Sequence, residues 1–228
     1  GALTTAQLAA FGTDQIAAFA FHPYRQDGPE NSLPDIAKFE NISGATRQRR
    51  SIWLTEWGYS ETWLSRMYPL DNLRERQAVM TARLMLTAAL AGAKAVLLYD
   101  LIDDGPDANN PESRFGLYDY EFHAKKSALT FRAMTDLMSN CDTYNFTFDP
   151  VQKTITATFT SSSRISRAIW TYDSRYNHNL CFSAGSSNVT HLFDLSGTTI
   201  PIEYCPSSSN IKLRLREEFG PLILTTDR

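Results

Sequence analysis

No apolar run in this 228-residue sequence approaches the roughly 18 residues of a membrane-spanning helix, so no membrane partner is expected. No signal-peptide pattern opens it, which leaves the compartment undecided. An excess of one charge is lacking too. Lys and Arg number 22 against 25 Asp and Glu, and the net charge of −3 gives no electrostatic reason to bind nucleic acid. The one basic run, Arg47-Gln48-Arg49-Arg50, reads as a solvated loop before a strand. Cysteine is scarce. Cys141, Cys181 and Cys205 are too few for a disulfide scaffold and lack the Cys-x-x-Cys spacing of a zinc site. Cys181 and Cys205 both fall in strand-like segments, where a pair and two free, buried thiols are equally compatible with the sequence. His-Glu-x-x-His, Walker A and Gly-x-Gly-x-x-Gly motifs are absent, and Ser-Ala-Gly-Ser-Ser at 183–187 is not a nucleophile elbow. No cofactor and no metal are expected.

What is present is a globular composition, 43% hydrophobic and 12% aromatic, with two different periodicities. In the first part, short apolar runs alternate with helical patterns. Ile16–Phe21, residues 51–55 and Ala95–Tyr99 read as strands buried on both faces. Ser32 is placed to cap a helix, Leu73–Leu90 reads as a second helix ending at Gly92, and Ala124–Ser139 as a third. The order β-α-β-α-β-α, with no hairpin turn, predicts a parallel sheet with right-handed crossovers. Three strands seldom stand alone in such a sheet, so this part reads as incomplete. From about Tyr144 the texture changes to short alternating segments: 146–163, 167–174, 179–185, 189–197 and 210–218. These predict an antiparallel β-sandwich.

Functional residues of α/β sheets gather where strands end and βα loops emerge. The first strand ends in His22-Pro23-Tyr24-Arg25, and the second in Thr55-Glu56-Trp57-Gly58-Tyr59-Ser60. The third ends in Tyr99-Asp100 and runs into an acidic loop that reaches Phe115-Gly116-Leu117. One polar strand end is an ordinary loop. Three in a row, each with an aromatic residue, point to a cleft suited to sugars.

These three ends resemble strands six, seven and eight of the clan A retaining glycoside hydrolases, (β/α)8 enzymes that include families 5 and 39. His22-Pro23-Tyr24 is similar to the His-x-Tyr that ends strand six, and Thr55-Glu56-Trp57-Gly58 to the nucleophile pattern of strand seven. The whole series looks like family 39-like, cellulase-like proteins with a small C-terminal β-domain. The resemblance implies an α/β plus all-β chain: a partial (β/α)8 TIM barrel of about three βα units over residues 1–143, then a β-sandwich over 144–228.

The resemblance also implies roles. Glu56 is the expected nucleophile, Tyr24 the hydroxyl that orients it, and His22 a contact to sugar hydroxyls. Trp57 or Tyr99 is expected beneath a pyranose, although core packing serves Trp57 equally well. Asp100 and Asp104 are expected to reach the cleft, and Arg114 to tie the acidic loop to one of its own carboxylates. Retention needs a second carboxyl about 5 Å from the nucleophile. In clan A that group follows Asn at the end of strand four, and this sequence contains no Asn-Glu. Glu30, Glu61 and Glu112 are weak substitutes. The expected activity is therefore that of a C-terminal portion of a glycosidase carrying half an active site, with little turnover alone. The expected partners are a carbohydrate substrate and either a homo-oligomeric copy or a missing N-terminal half-barrel. The alternative is a non-catalytic carbohydrate-binding or assembly protein. An extracellular or periplasmic setting is expected over a cytoplasmic one.

Overall fold

The computed structural model describes residues 17–44, 50–66, 72–173, 178–184, 189–216 and 220–227. Three strands, β1 (Ala18–Phe21), β2 (Ser51–Trp57) and β3 (Ala95–Leu98), form a parallel sheet with β2 in the middle. In register, Ala20 lies opposite Trp53, and Trp53 opposite Ala95. The parallel expectation holds because helices cross over between the strands: α1 (Leu33–Gly44), the single turn α2 (Glu61–Leu64) and α3 (Leu73–Leu90). A fourth helix, α4 (Lys126–Ser139), follows the acidic loop. Helix α3 has the expected bounds, and Gly92 ends it with a positive φ of 69° while its N–H bonds to Ala89 O at 3.0 Å. Ser32 differs from expectation. It closes a 3-10 turn, Pro29–Ser32, and its hydroxyl donates to Pro29 O at 2.6 Å.

Helix α3 is buried on most of its surface because it serves two cores, and Gln77, Arg83 and Thr87 are buried along with its apolar residues. Met80, Leu84 and Ala88 pack with Ile36 of α1 and with Ile52, Leu54 and Trp57 of β2. On its other side Val79, Ala82 and Leu86 pack with Met134 of α4 and with Ile155, Ala157 and Trp170 of the second sheet. Each Val, Leu, Ile or Met side chain among these contributes about 1.5–3 kcal/mol by leaving water. Among the described residues the opposite face of the parallel sheet has no such cover. Trp53 is 42% exposed and Leu97 51% exposed. Among the described residues β1 and β3 each pair only with β2.

The rest of the chain is antiparallel. Strands β4 (Thr143–Asp149), β5 (Thr154–Thr160), β6 (Arg164–Thr171), β8 (Val189–Phe193) and β10 (Leu222–Asp227) form a sheet in the order β4-β5-β6-β10-β8. A two-stranded ribbon, β7 (His178–Phe182) with β9 (Ile211–Leu215), covers one face, with Leu213, Leu215, Leu192 and Leu224 between them. The other face lies on α3 and α4. Strand β10 was not among the segments expected from sequence, yet it sits between β6 and β8. Of the two readings for the cysteines, the pair is the one found: Cys181 of the ribbon is bonded to Cys205.

Candidate functional site

The parallel register brings the C-terminal ends of β1, β2 and β3 side by side, and the polar residues that follow each strand meet there. Glu56, near the end of β2, is the centre. Tyr24 Oη donates to its Oε1 at 2.8 Å, and His22 Nδ1 lies 3.3 Å from its Oε2. The other ring nitrogen of His22 meets Thr55 Oγ1 at 3.0 Å, which fixes the plane of the imidazole. Burial first, and then the bond to Glu56 and its charge, push the Tyr24 phenol well above the usual tyrosine range. Tyr24 therefore stays a donor at any working pH, as a group that orients a carboxylate must.

Aromatic rings wall the cleft. Tyr24 stands edge-on to Trp63 at 5.8 Å, Phe115 at 5.9 Å and Tyr99 at 6.4 Å between centroids. The Tyr99 hydroxyl donates toward Asp104 Oδ2 at 3.2 Å and lies 3.4 Å from Glu112 Oε2. Partial burial and then the charge of Asp104 push its pKa up to about 12. The carboxyl of Asp100 rises to about 6, through burial first and then the negative charges of Asp104 and Asp103. The Tyr99–Asp100 peptide is cis. Gly58 makes room for it: a Cβ there would lie 1.7 Å from Tyr99 O.

Of the expected site residues, His22, Tyr24, Glu56, Tyr99 and Asp104 meet in one cleft, with Asp100 beside Tyr99. Trp57 does not face it. Its ring is fully buried against α3 with Ile36, Leu54 and Met80, so it fills the core and offers no face to a sugar. A break in strand alternation explains this: the β2–β3 register shifts between Leu54 and Trp57, so Trp57 turns to the face of Ile52 and Leu54 and not to that of Trp53. Trp63, one turn into α2, takes a place in the aromatic wall that the sequence did not signal. The three substitute acids have other partners. Glu30 is buried against Arg83 and Trp170, Glu61 pairs with Lys125 Nζ at 2.8 Å, and Glu112 reaches Tyr99.

Buried polar contacts hold the cleft loops. Tyr59 Oη donates to Asp27 O at 2.7 Å, fixing the loop after β1. Gln77 of α3 donates from Nε2 to Tyr59 O at 3.0 Å and Phe115 O at 3.1 Å. Lys125 Nζ, fully buried, meets Asp103 Oδ1 at 2.7 Å, and Arg114 Nη1 lies 3.7 Å from Asp103 Oδ2. Arg114 thus ties the loop to one of its own acids, as expected. Among the described residues no group of three or more His, Cys, Asp or Glu side chains is placed to hold a metal ion.

No family model and no curated protein matches the sequence. Solved structures do match, and the fold is like that of glycoside hydrolases of families 39 and 30. A family 39 glycoside hydrolase from the gut symbiont Bacteroides cellulosilyticus WH2 superposes with a TM-score of 0.79 at 22% identity, over 99% of this chain and 47% of that one. A GH30 endoxylanase from Clostridium papyrosolvens C71 gives 0.55 at 10% identity, over 94% of this chain and 50% of that one. A glucosidase from Croceicoccus marinus gives 0.55 at 9% identity, over 92% and 53%. The chain spans about half the length of each of these three structures. At these identities the likeness is one of fold.

Proposed function

We propose that this chain is the C-terminal portion of a retaining β-glycoside hydrolase acting on oligo- or polysaccharide, with Glu56 as its nucleophile. The observation that carries the reading is the pairing of Glu56 with Tyr24 and His22 at adjoining strand ends. In this reading Glu56 attacks the anomeric carbon, the leaving oxygen departs with a proton, and water then hydrolyses the glycosyl-enzyme. Tyr24 holds the carboxylate oxygen that is not attacking. Tyr99 and Trp63 supply apolar surface for the ring, and Asp100 and Asp104 accept from sugar hydroxyls. The proton donor belongs to the matching half of the barrel, which we assign to an N-terminal half-barrel. Residues 1–143 then form the barrel part, and 144–228 the β-domain.

An activated 2-deoxy-2-fluoro glycoside tests this directly, because its leaving group departs without a proton. Mass spectrometry of the digested protein should find the sugar on Glu56, and none on the Glu56→Gln variant. Glycan binding with no adduct would instead favour a non-catalytic carbohydrate-binding or assembly protein, the reading to which the missing Asn-Glu gives weight.

A further inference from the structure

One carboxylate near the cleft takes no part in the chemistry above. Glu30 sits in the 3-10 turn that ends the loop after β1, and it is buried. Arg83 of α3 grips it as a fork, Nε to Oε1 at 2.9 Å and Nη2 to Oε2 at 2.7 Å. A further donor comes from the second sheet. Trp170 Nε1 of β6 reaches Glu30 Oε1 at 2.7 Å, across 140 residues of sequence. The Trp170 ring is fully buried with Val79, Ala82 and Leu86 of α3. A phenylalanine would fill most of this space, so packing alone does not require the indole N–H. What the N–H adds is direction, since a buried carboxylate is held where its donors point and loses much when one is removed.

The loop that Glu30 closes is the loop that carries the cleft. His22 and Tyr24 lie at its start, and both touch Glu56. Its backbone presses on the same fork, for a Cβ on Gly28 would come within 2.7 Å of Arg83 Nη2. Between those ends Tyr59 holds Asp27 O. The segment 22–32 is therefore strung between Glu56 at one end and a carboxylate held from the C-terminal sheet at the other.

We propose that Trp170 is a positioning residue of the cleft: through Glu30 it fixes the 22–32 loop so that Tyr24 and His22 meet Glu56. The C-terminal sheet is then a working part of the site and not only a cover for α3. The inference rests on the glycosidase reading only in taking this cleft as the working site.

The test reads geometry. The full chain is labelled with 3-fluorotyrosine, and the Tyr24 fluorine resonance is assigned by its loss in Tyr24→Phe. In folded Trp170→Phe the Tyr24 resonance should shift by more than its linewidth, and Glu30→Gln should shift it in the same direction. Ile155→Val, which thins the same core without removing a donor, should leave it in place. An unmoved resonance in folded Trp170→Phe overturns the proposal, as does an equal shift from Ile155→Val. Should Trp170→Phe fail to fold, Glu30→Gln decides by the same criterion. Under the glycosidase reading both variants also slow sugar trapping on Glu56, by about tenfold. Wild-type protein that traps no sugar would count against that reading alone, and the fluorine result would stand by itself.

Discussion

At the scale of single residues, the cleft is a set of donors converging on one acid. Tyr24→Phe removes the hydroxyl 2.8 Å from Glu56 and leaves the ring among Trp63, Phe115 and Tyr99. Under the proposed function it should slow sugar trapping by about 10²-fold, the usual effect of losing one charge-stabilising donor. The apparent affinity for the reagent should change little, and a change in affinity alone would contradict the role. Asp100 makes a pH prediction. Its carboxyl sits at about 6 against an ordinary 3.8, so between those values the native chain holds a proton that the unfolded chain has released. The contribution is present below about pH 4 and is lost as pH rises through 6. After discounting for solvent at this partly exposed group, the stability gap between wild type and Asp100→Asn should fall by on the order of 1 kcal/mol from pH 4 to pH 7. Urea unfolding at both pH values checks it, and a constant gap would sink it.

Residues of this kind were only partly legible in the sequence. His22, Tyr24 and Glu56 follow apolar runs directly, so strand ends located them. Trp63 was silent because it sits in a four-residue helix with no period to read. Trp57 was ambiguous for a definite reason. Strict alternation puts it on the face of Trp53, and the register shift after Leu54 that turns it inward leaves no signal in the sequence.

At the scale of elements, the loops are fixed by buried contacts between segments distant in sequence. Lys125 meets Asp103 and Glu61 with its side chain wholly out of water. Lys125→Met removes the buried cation that both acids share, leaving Asp103 only Arg114 at 3.7 Å and Glu61 only Arg74 at 4.0 Å, and should cost about 3–5 kcal/mol in denaturant unfolding. Gly58→Ala should also destabilise, by roughly 1–3 kcal/mol or more, because its methyl collides with the Tyr99 carbonyl and not with a yielding side chain. Loss of trapping in this variant should follow from displacement of Tyr99. The helices were readable because α3 and α4 are long, and α3 ends at a glycine. Strand β10 was not. Its Leu-Ile-Leu-Thr-Thr run has no turn signal after it, and its place between β6 and β8 comes from partners thirty or more residues away.

At the scale of the whole molecule, the parallel sheet leaves Trp53 and Leu97 facing outward and both outer strands without a further partner among the described residues. Open edges of this kind favour association. Sedimentation at micromolar concentration should show a dimer or larger species for this chain alone. A compact monomer would remove the case for self-association. The Cys181–Cys205 bond closes a loop of 24 residues, and its reduction should lower stability by roughly 3–4 kcal/mol on loop-closure grounds. Thermal melting with and without reductant measures it.

The double duty of α3 bears on how such a protein can be taken apart. The change of texture near residue 144 invites a cut there, as though two modules had been joined. Yet Val79, Ala82 and Leu86 belong to the core beneath the second sheet, while Met80, Leu84 and Ala88 belong to the first. A cut at that point would strip one side of the helix and leave neither piece with a closed interior. The visible seam in the sequence is not a hinge between interchangeable parts, and a recombined or shuffled C-terminal sheet would have to bring a surface shaped to this one helix.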